Sequence, residues 1–294
     1  MTIEQSTQLA DLDGLIWQDN GQCVLTGKAL ELYLRLDALF TQWAASCAAE
    51  AWKLPTFISA RELARLDYFH SFPHLVTMPV TLACGDANLK LFTEGQPITQ
   101  DGVLQLTELS PVKDVLTPAT CYHFYIAHQG KSLAAPKYLT ACGNCFRRET
   151  HYLPLQRQWN FNMREIVCIG SSDEVTRFLD SWKVRLQQFF ADANLDVLFE
   201  NATDPFFNPS RNPKYLMQKL DPVKNEMVFR NHLAIGSINF HRSYFGEAFA
   251  IMRDGEDACS GCVAFGMERW MYALLVTFGL SIPEFPKLKD EAQI

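Results

Sequence analysis

Three stretches of the sequence decide the fold: FRRE at residues 146–149, FNMRE at 161–165 and CVAFGMER at 262–269. Residues 161–170 have the apolar pattern of a strand. Residues 262–280 begin at a glycine turn and continue as a long apolar helix. An arginine–glutamate pair standing alone is usually a solvated strand end. The prediction therefore depends on finding these stretches together, in this order, along one chain.

The first and last of these stretches resemble motifs 2 and 3 of the class II aminoacyl-tRNA synthetases. Motif 2 of that family is a pair of antiparallel strands with an F-R-x-E start, which the FRRE stretch matches. Motif 3 is a strand and a helix with a glycine-rich joint and a final E-R, which Gly266, Glu268 and Arg269 match. The resemblance implies an α+β fold in which an antiparallel sheet is flanked by helices. The absence of a βαβ rhythm in the sequence favours the same class.

The resemblance also implies an ATP site. It places Arg147 on the α-phosphate and Arg269 on the γ-phosphate, with the Arg269 guanidinium also stacked on the adenine. Phe161 covers the other adenine face, and Glu149 accepts a hydrogen bond from the adenine amino group. The planar fork of arginine binds two phosphate oxygens at once. We therefore predict Arg147 and Arg269 as catalytic residues, these four residues as the ATP-binding set, and Mg²⁺ as the companion of the nucleotide.

The chain contains nine cysteines, which are candidate metal ligands. Their odd number and the lack of a secretory signal argue against a disulfide framework. They are Cys23, Cys47, Cys84, Cys121, Cys142, Cys145, Cys168, Cys259 and Cys262. Two CxxC pairs, Cys142 with Cys145 and Cys259 with Cys262, are the usual pattern of a structural Cys₄ zinc site. The pairs lie much further apart than the roughly 15–20 residues that separate such pairs in zinc ribbons.

A second candidate zinc site consists of Cys121, Glu165 and Cys262. In a class II fold, the strand before motif 2, the end of motif 2 and the start of motif 3 line one amino-acid pocket. Two thiolates and one carboxylate leave one of four zinc positions open, as in catalytic sites. That open position can hold water and then the amino group of the substrate. Replacement of Cys262 by Cys259, or three residues with no metal role, are the alternatives.

This triad resembles the zinc-dependent seryl-tRNA synthetases of methanogenic archaea and their shortened bacterial relatives, the amino acid:[carrier protein] ligases. The phrases TPATCYHFY, MREIVCIG and ACSGCVAFGMERW resemble the bacterial ligases from about residue 60 onward. The resemblance implies activation of glycine or alanine as an adenylate, followed by transfer to the phosphopantetheine thiol of a carrier protein. It also implies a homodimer, with the FHSFPH stretch containing His70 and His74 as the dimer region.

Two alternatives remain open. The first is a class II paralogue that charges tRNA, and the second is a non-catalytic regulatory module stabilised by zinc. The net charge of −7 gives no sign of the basic face that nucleic-acid binding requires, and the length leaves no segment for a tRNA-binding domain. We therefore predict one catalytic domain over residues 1–294, with a helical segment at 1–60 of unassigned role, and no tRNA partner.

The start of the chain lacks the features of a signal peptide, and no apolar run approaches 18 residues. We therefore expect a cytoplasmic protein without a membrane partner. Four further residues are weaker candidates for the pocket: Asn239, His241, Arg242 and Glu247, the last on a strand before motif 3.

The local patterns predict several elements. They are a single amphipathic helix over 28–53, a helix over 59–70 capped by Ser59, a strand over 103–109, a helix from a capping box at Ser171 and Glu174 to Asp192, a loop over 202–216, and two strands over 226–240 and 244–252.

Overall fold

The computed structural model describes residues 13–211, 213–279 and 281–289. The strands are β1 (Leu15–Gln18), β2 (Gln22–Leu25), β3 (Glu50–Ala51), β4 (Phe57–Ser59), β5 (Asp114–Leu116), β6 (Ser132–Leu133), β7 (Lys137–Phe146), β8 (Asn160–Gly170), β9 (Val197–Ala202), β10 (Lys224–Phe229), β11 (Leu233–Arg242), β12 (Met252–Arg253), β13 (Glu256–Asp257) and β14 (Cys259–Gly266). The helices are α1 (Gly27–Ser46), α2 (Ala60–Arg65), α3 (Tyr68–Ser71), α4 (Asp86–Glu94), α5 (Tyr122–Ala127), α6 (Ser172–Asp192), α7 (Pro213–Leu220), α8 (Tyr244–Phe249) and α9 (Met267–Phe278), with 3-10 turns at Pro73–Leu75 and Pro209–Arg211.

A seven-stranded sheet in the order β3-β7-β8-β14-β11-β10-β9 forms the centre of the molecule. Every neighbouring pair in it is antiparallel except β3 with β7 at one edge. The two motif 2 strands, β7 and β8, pair over their full length, and β14 of motif 3 lies directly beside β8. The predicted α+β class with a helix-flanked antiparallel sheet is confirmed.

The two faces of the sheet carry separate apolar clusters. In β8, Ile166 and Cys168 pack into one cluster, whereas Val167 and Ile169 pack into the other, because successive side chains of a strand point to opposite faces. The first cluster lies under α1, α6 and α9, and the second lies under α5 and α8. Each large apolar side chain buried in this way contributes about 1.5–3 kcal/mol.

Aromatic rings fill the first cluster where α1 crosses the sheet. Phe40 stacks on Phe265 with ring centres 4.4 Å apart and meets the edge of Trp270 at 5.0 Å. Trp43, on the same helix face, meets Phe189 of α6 at 4.7 Å. A partly buried ion pair ties α1 to motif 2 as well, since Arg164 Nε donates to Asp37 Oδ1 at 2.7 Å.

The capping box before α6 is confirmed. Ser171 Oγ accepts from the Glu174 amide at 3.3 Å, and Glu174 Oε2 accepts from the Ser171 amide at 2.8 Å. The helix ends at Asp192, as predicted. Ser59 is also confirmed as a cap, since its hydroxyl accepts from the Arg61 amide at 3.3 Å.

The predicted helix over 28–53 is wrong beyond Ser46. Ala48 takes a left-handed conformation with φ of 53°, and the next residues pair with β7 as β3. The predicted helix over 59–70 is two helices, because Asp67 has φ of 53° and breaks the helical path. Residues 103–109 form no regular strand and make isolated bridges instead, from Leu104 to Ile98 and from Leu109 to Leu82.

Three expectations in the second half of the chain also need correction. Residues 226–240 are a hairpin rather than one strand, with the turn at Arg230 and Asn231, which both have positive φ. Residues 244–249 form α8 instead of a strand. The expected loop over 202–216 contains a 3-10 turn and the start of α7. Within residues 13–211, 213–279 and 281–289, no helix has the length and apolar character needed to cross a bilayer.

Candidate active site

A cavity of about 590 Å³ lies over the α5 and α8 face of the sheet. Its wall includes all residues of the predicted ATP-binding and zinc sets, namely Cys121, Arg147, Glu149, Phe161, Glu165, Cys262 and Arg269. Phe161, Met163 and Glu165 alternate along β8, so all three present their side chains to the same face. The motif 2 strands thus supply one continuous wall of the cavity.

Arg147 stands where β7 leaves the sheet. Its Nε donates to the Pro118 carbonyl at 3.0 Å, and its guanidinium carbon lies 5.2 Å from the centre of the Phe161 ring. The Arg147 amide donates to the Trp159 carbonyl at 3.0 Å and closes the loop between β7 and β8. The arginine is therefore held by backbone contacts while its charge faces the cavity.

Arg269, in the first turn of α9, is held by two backbone carbonyls. Its Nε donates to Gln156 at 2.8 Å and its Nη1 donates to Ala234 at 2.8 Å. Burial, together with the positive charges of Arg147 and Arg157, lowers the pKa of Arg269 to about 10. The group stays charged at neutral pH, and the crowding of positive charge makes this part of the cavity favourable for an anion.

Glu149 pairs with Arg157 across the loop between β7 and β8, with Arg157 Nη1 donating to Glu149 Oε2 at 2.8 Å. The pair fixes the carboxylate at the cavity wall. Both residues are partly exposed, so the pair adds little to stability. What the contact supplies is the position of a hydrogen-bond acceptor.

Cys121, Glu165 and Cys262 converge on the same cavity wall. One ligand atom from each lies within 4.8 Å of the other two, and all three residues are buried. The register explains two of the three, because Glu165 faces Ala264 and Val167 faces Cys262 across the β8–β14 pair. Glu165 and Cys262 are therefore diagonal neighbours on one face of the sheet.

The elements that carry two of these residues differ from the prediction. Cys121 precedes the first turn of α5 and does not lie on a strand. Cys262 lies in the middle of β14 and not directly before α9. The side chains nevertheless meet, since the start of α5 packs on the β8–β14 face.

The chemistry of the three groups fits a divalent metal ion. Glu165 Oε1 accepts from the amides of Thr120 and Cys121 at 3.0 and 3.1 Å, whereas its Oε2 is buried without a hydrogen-bond partner among the described residues. A hydrogen bond with Cys262, together with burial, raises the pKa of the Cys121 thiol well above its usual range. Burial also raises the pKa of the Glu165 carboxyl. Two thiols and a carboxyl buried together favour a cation that replaces their protons, and sulfur and oxygen donors suit zinc.

Both alternative cysteine sets are wrong. Cys142 of β7 pairs with Arg164 of β8, and Arg164 pairs with Phe265 of β14. Cys142 is therefore aligned with Phe265, which is six residues along β14 from Cys259. Six residues of strand span roughly 20 Å, which rules out a shared Cys₄ site. Cys259 packs toward the α6 side and Cys262 toward the α5 side, so Cys259 cannot replace Cys262.

The weaker candidates divide into two groups. Asn239, His241 and Arg242 line the cavity, and Asn239 Nδ2 donates to Cys262 Sγ at 3.3 Å. Burial lowers the pKa of His241 to about 4, so its ring is neutral beside the triad. Glu247 lies on α8 and accepts from Ser243 outside the cavity lining.

The histidines of the FHSFPH stretch also stay outside the cavity wall. His70 is exposed and bonds Asp67 at 2.9 Å. The ring of His74 lies 5.9 Å from that of Phe207, centre to centre.

Comparison with known proteins gives the family. Amino acid–[acyl-carrier-protein] ligases 1 and 2 of Bradyrhizobium diazoefficiens are each 34% identical to this chain, over 273 and 253 residues. The alignments cover 87% and 81% of this chain, and 80% and 72% of the two ligases. The chain belongs to the amino acid–[acyl-carrier-protein] ligase family. No protein-family model matches it.

More distant relatives of this ligase family member are tRNA ligases. The type-2 serine–tRNA ligase of Methanococcus aeolicus is 28% identical over 195 residues, which are 60% of this chain and 37% of that enzyme. M. kandleri SerRS, solved in complex with A. aeolicus tRNASec, matches with a TM-score of 0.77 at 19% identity, over 96% of this chain and 62% of that chain. Giardia lamblia prolyl-tRNA synthetase in complex with prolyl-adenylate matches with a TM-score of 0.67 at 13% identity, over 92% and 52%. These structures share the fold, and the predicted class II architecture is confirmed.

The cavity of this ligase family member also contains a cluster of charged side chains that the sequence analysis did not predict. Lys224 Nζ lies 3.2 Å from Asp204 Oδ1 and 3.1 Å from Glu226 Oε1, and all three residues line the cavity. Alternation of charge at positions 224 and 226 in a strand was the available signal, since residues two apart share a face. Asp204 lies in a loop, so no pattern in the sequence pointed to it.

Proposed function

We propose that the protein uses ATP to activate a small amino acid, glycine or alanine, as its adenylate, and then transfers the aminoacyl group to the phosphopantetheine thiol of a carrier protein. One observation carries the proposal. A single cavity has two partly buried arginines on its wall, together with a buried triad of two cysteines and a glutamate. The first feature suits a triphosphate, and the second suits the amino group of a small substrate.

Arg147 and Arg269 are proposed to hold the triphosphate of ATP, with Mg²⁺ accompanying it. In the cavity these fixed charges act strongly on the negative charge that develops when the substrate carboxylate attacks the α-phosphorus, the bond from that phosphorus to the bridging oxygen breaks, and pyrophosphate leaves. Arg147 holds the α-phosphate, and Arg269 holds the γ-phosphate and covers one face of the adenine. Phe161 covers the other face of the adenine, and Glu149 accepts a hydrogen bond from the adenine amino group.

Cys121, Glu165 and Cys262 are proposed to hold zinc. When bound there, zinc supplies a Lewis-acid position with one place open for the amino group of the substrate. The chain itself orients the ligands: two backbone amides fix the Glu165 carboxylate, and the Asn239 amide donates to the Cys262 sulfur. Discrimination between glycine and alanine rests on the room for one methyl group, worth about 1–3 kcal/mol.

In the transfer step, the carrier thiol attacks the carbonyl carbon of the adenylate. A carbon–sulfur bond forms, the bond from that carbon to the phosphate oxygen breaks, and AMP leaves. The thiol has a free pKa of about 8.5 and gives its proton to the phosphate of the departing AMP. The residues of the cavity orient the two reactants, and no protein nucleophile is needed. We place this reaction in the cytoplasm.

Labelling of the carrier tests the proposal. The protein is incubated with ATP, zinc and radioactive glycine or alanine, together with phosphopantetheinylated carrier, the same carrier without its arm, or tRNA. Label is expected only on the phosphopantetheinylated carrier, as a thioester that hydroxylamine releases. Label on tRNA instead favours a tRNA-charging enzyme, and label on no acceptor from zinc-loaded protein favours a non-catalytic module.

A homodimer is also proposed. Phe69 and Phe72 of the FHSFPH stretch pack against an apolar cluster of their own protomer, so the proposed contact surface is residues 77–112 instead. This segment bonds mainly to itself, for example from the Ala83 amide to the Glu108 carbonyl at 2.9 Å, and its helix α4 has no buried residue. The exposed apolar side chains of the segment are Met78, Val80, Leu89, Leu91, Ile98, Val103, Leu104, Leu106, Leu109 and Val112. A run of exposed apolar groups of this size is typical of an interface.

Charged substitutions on this surface are expected to separate the dimer. Leu91→Asp combined with Val103→Asp places two carboxylates in the contact, and sedimentation velocity should then give one protomer of 33.4 kDa in place of a dimer. Leu198→Asp is the matched control, because Leu198 is equally exposed but lies on β9. A wild-type monomer, or a double variant that remains dimeric, contradicts the proposed surface.

A further inference from the structure

The cavity wall carries a glutamine, Gln156, whose side-chain amide is left partly unpaired within the described part of the chain. Gln156 is 6% exposed, and its Nε2 is buried with no hydrogen-bond partner among the described residues. The residue lines the cavity. An amide donor buried without an acceptor costs about as much free energy as a lost hydrogen bond. Such a group in a binding cavity calls for a ligand that completes it.

The loop that carries Gln156 is tightly built, so slack in the backbone does not explain the missing partner. The Leu153 amide donates to the Arg157 carbonyl at 2.8 Å, and the Arg157 amide donates back at 3.0 Å. Leu155 is fully buried with φ of 59°, a conformation that is rare for a bulky side chain. Strain of this kind persists where the surrounding structure fixes it, and it is concentrated at binding sites.

A second glutamine two positions along provides an internal comparison. Gln158 is also buried and lines the cavity, but both ends of its amide are used. Its Oε1 accepts from Cys23 Sγ at 3.4 Å, and its Nε2 donates to the Asn160 carbonyl at 2.9 Å. The same loop therefore provides partners for both ends of the Gln158 amide but leaves Gln156 Nε2 without one among the described residues.

The groups around Gln156 select the kind of ligand. The Gln156 carbonyl holds the Arg269 guanidinium, a flat cation that can stack on a ring. Glu149, whose carboxylate is fixed by Arg157, lines the same wall and can accept a hydrogen bond from a donor on the ligand. A nucleobase meets both conditions, because its ring stacks and its edge carries donors and acceptors.

We propose that Gln156 reads the adenine of ATP, with its side-chain amide donating to a ring nitrogen and accepting from the 6-amino group. This inference rests on the proposed function and adds a specificity-determining residue to it. A glutamine amide matches the paired donor and acceptor on the adenine edge. The terminal torsion of glutamine is soft, so the amide turns toward the base when ATP enters. Glu149, which only accepts, disfavours the 6-oxygen of guanine at the same edge.

The test compares three variants by ATP–pyrophosphate exchange with the substrate amino acid. Gln156→Met keeps the size of the side chain and removes both polar atoms, Gln156→Glu removes only the donor, and Gln158→Met is the matched control. The nucleotides are ATP, GTP and purine riboside triphosphate, which lacks the 6-amino group. Melting temperature is measured on each protein without nucleotide.

Gln156→Met is expected to raise KM for ATP between about 5-fold and 150-fold, the range of a good amide–base pair. Its KM for purine riboside triphosphate should rise by less, because only the contact with the ring nitrogen is lost there, so the preference for ATP over the analogue shrinks. Its melting temperature should stay level or rise, because no polar atom is left unpaired. Gln156→Glu should also raise KM for ATP. Gln158→Met should lower the melting temperature and leave the nucleotide preference unchanged.

An unchanged KM for ATP in both Gln156 variants, with wild-type exchange intact, overturns the role of Gln156 and leaves the proposed function standing. The same holds if Gln156→Met weakens ATP and purine riboside triphosphate equally, since the amide then does not read the 6-amino group that distinguishes adenine. Wild-type protein that neither exchanges pyrophosphate nor binds ATP directly overturns both proposals.

Discussion

Cys262→Ser is expected to remove zinc from the protein and to abolish amino-acid activation. The substitution takes one thiolate from a three-ligand set whose atoms lie within 4.8 Å of one another. Loss of a mere outer-shell partner costs about 10- to 100-fold in affinity or activity, so loss of a ligand should lower exchange by more than about 100-fold. Zinc content by atomic spectroscopy should fall from about one ion per protomer to close to none.

Cys145→Ser is the matched control for this result. Cys145 is fully buried and contacts the Thr120 hydroxyl at 3.6 Å, a contact that serine retains. It belongs to the excluded CxxC pair, so the control also separates the two zinc hypotheses. Zinc should stay bound in Cys145→Ser, and a Cys262→Ser protein that keeps full zinc content contradicts the triad.

Arg147→Gln is expected to reduce exchange by at least about 10²- to 10³-fold, the cost of removing one fixed donor from a buried reaction site. The positive charge that meets the α-phosphate is lost, whereas none of the three candidate zinc ligands is changed. Zinc content should therefore remain at the wild-type value. This pattern is the reverse of the one expected for Cys262→Ser, in which activity and metal are lost together.

Arg148→Gln provides the comparison for the adjacent arginine. Arg148 lies over the Trp159 ring at 5.2 Å, donates to the Tyr152 hydroxyl at 3.0 Å and is not part of the cavity wall. Its loss should change exchange by less than about 3-fold, as for a contact at a partly exposed position. Equal losses in the Arg147 and Arg148 variants contradict a specific role for Arg147.

Much of the site could be predicted because its residues occur in patterned stretches. The FRRE and GMER stretches carry the two arginines, and the alternation in β8 places Phe161 and Glu165 on one face. The membership of the triad was also predictable, but its local structure was not. Cys121 reaches the site from the start of α5, and only the packing of that helix on the sheet shows how.

The incorrectly predicted helices and strands share a physical cause, because tertiary pairing overrode the local sequence pattern. The apolar rhythm after Ser46 continues without a break, yet residues 50–51 join the sheet edge. The aromatic residues of α8 favour a strand by propensity, although strand propensity depends strongly on context. The hairpin turn at Arg230 and Asn231 was hidden because arginine is not a usual residue at positive φ.

Other expectations stay predictions. They include the single catalytic domain over residues 1–294, the bound zinc, the dimer and the roles given to each site residue. Residues 1–12 lie outside the described part of the chain, so the predicted helical segment at 1–60 is described only from residue 13. There it contains the hairpin β1–β2, helix α1 and the short strands β3 and β4, and its role is still unassigned.

Amino-acid-dependent exchange of pyrophosphate into ATP, measured with all twenty amino acids in the presence and absence of a zinc chelator, is the most direct test of the proposed chemistry. We expect exchange with glycine or alanine, loss of that exchange with the chelator, and its return when zinc is restored. Zinc-loaded protein that gives no exchange with any amino acid, or exchange that persists after the metal is removed, contradicts the proposal.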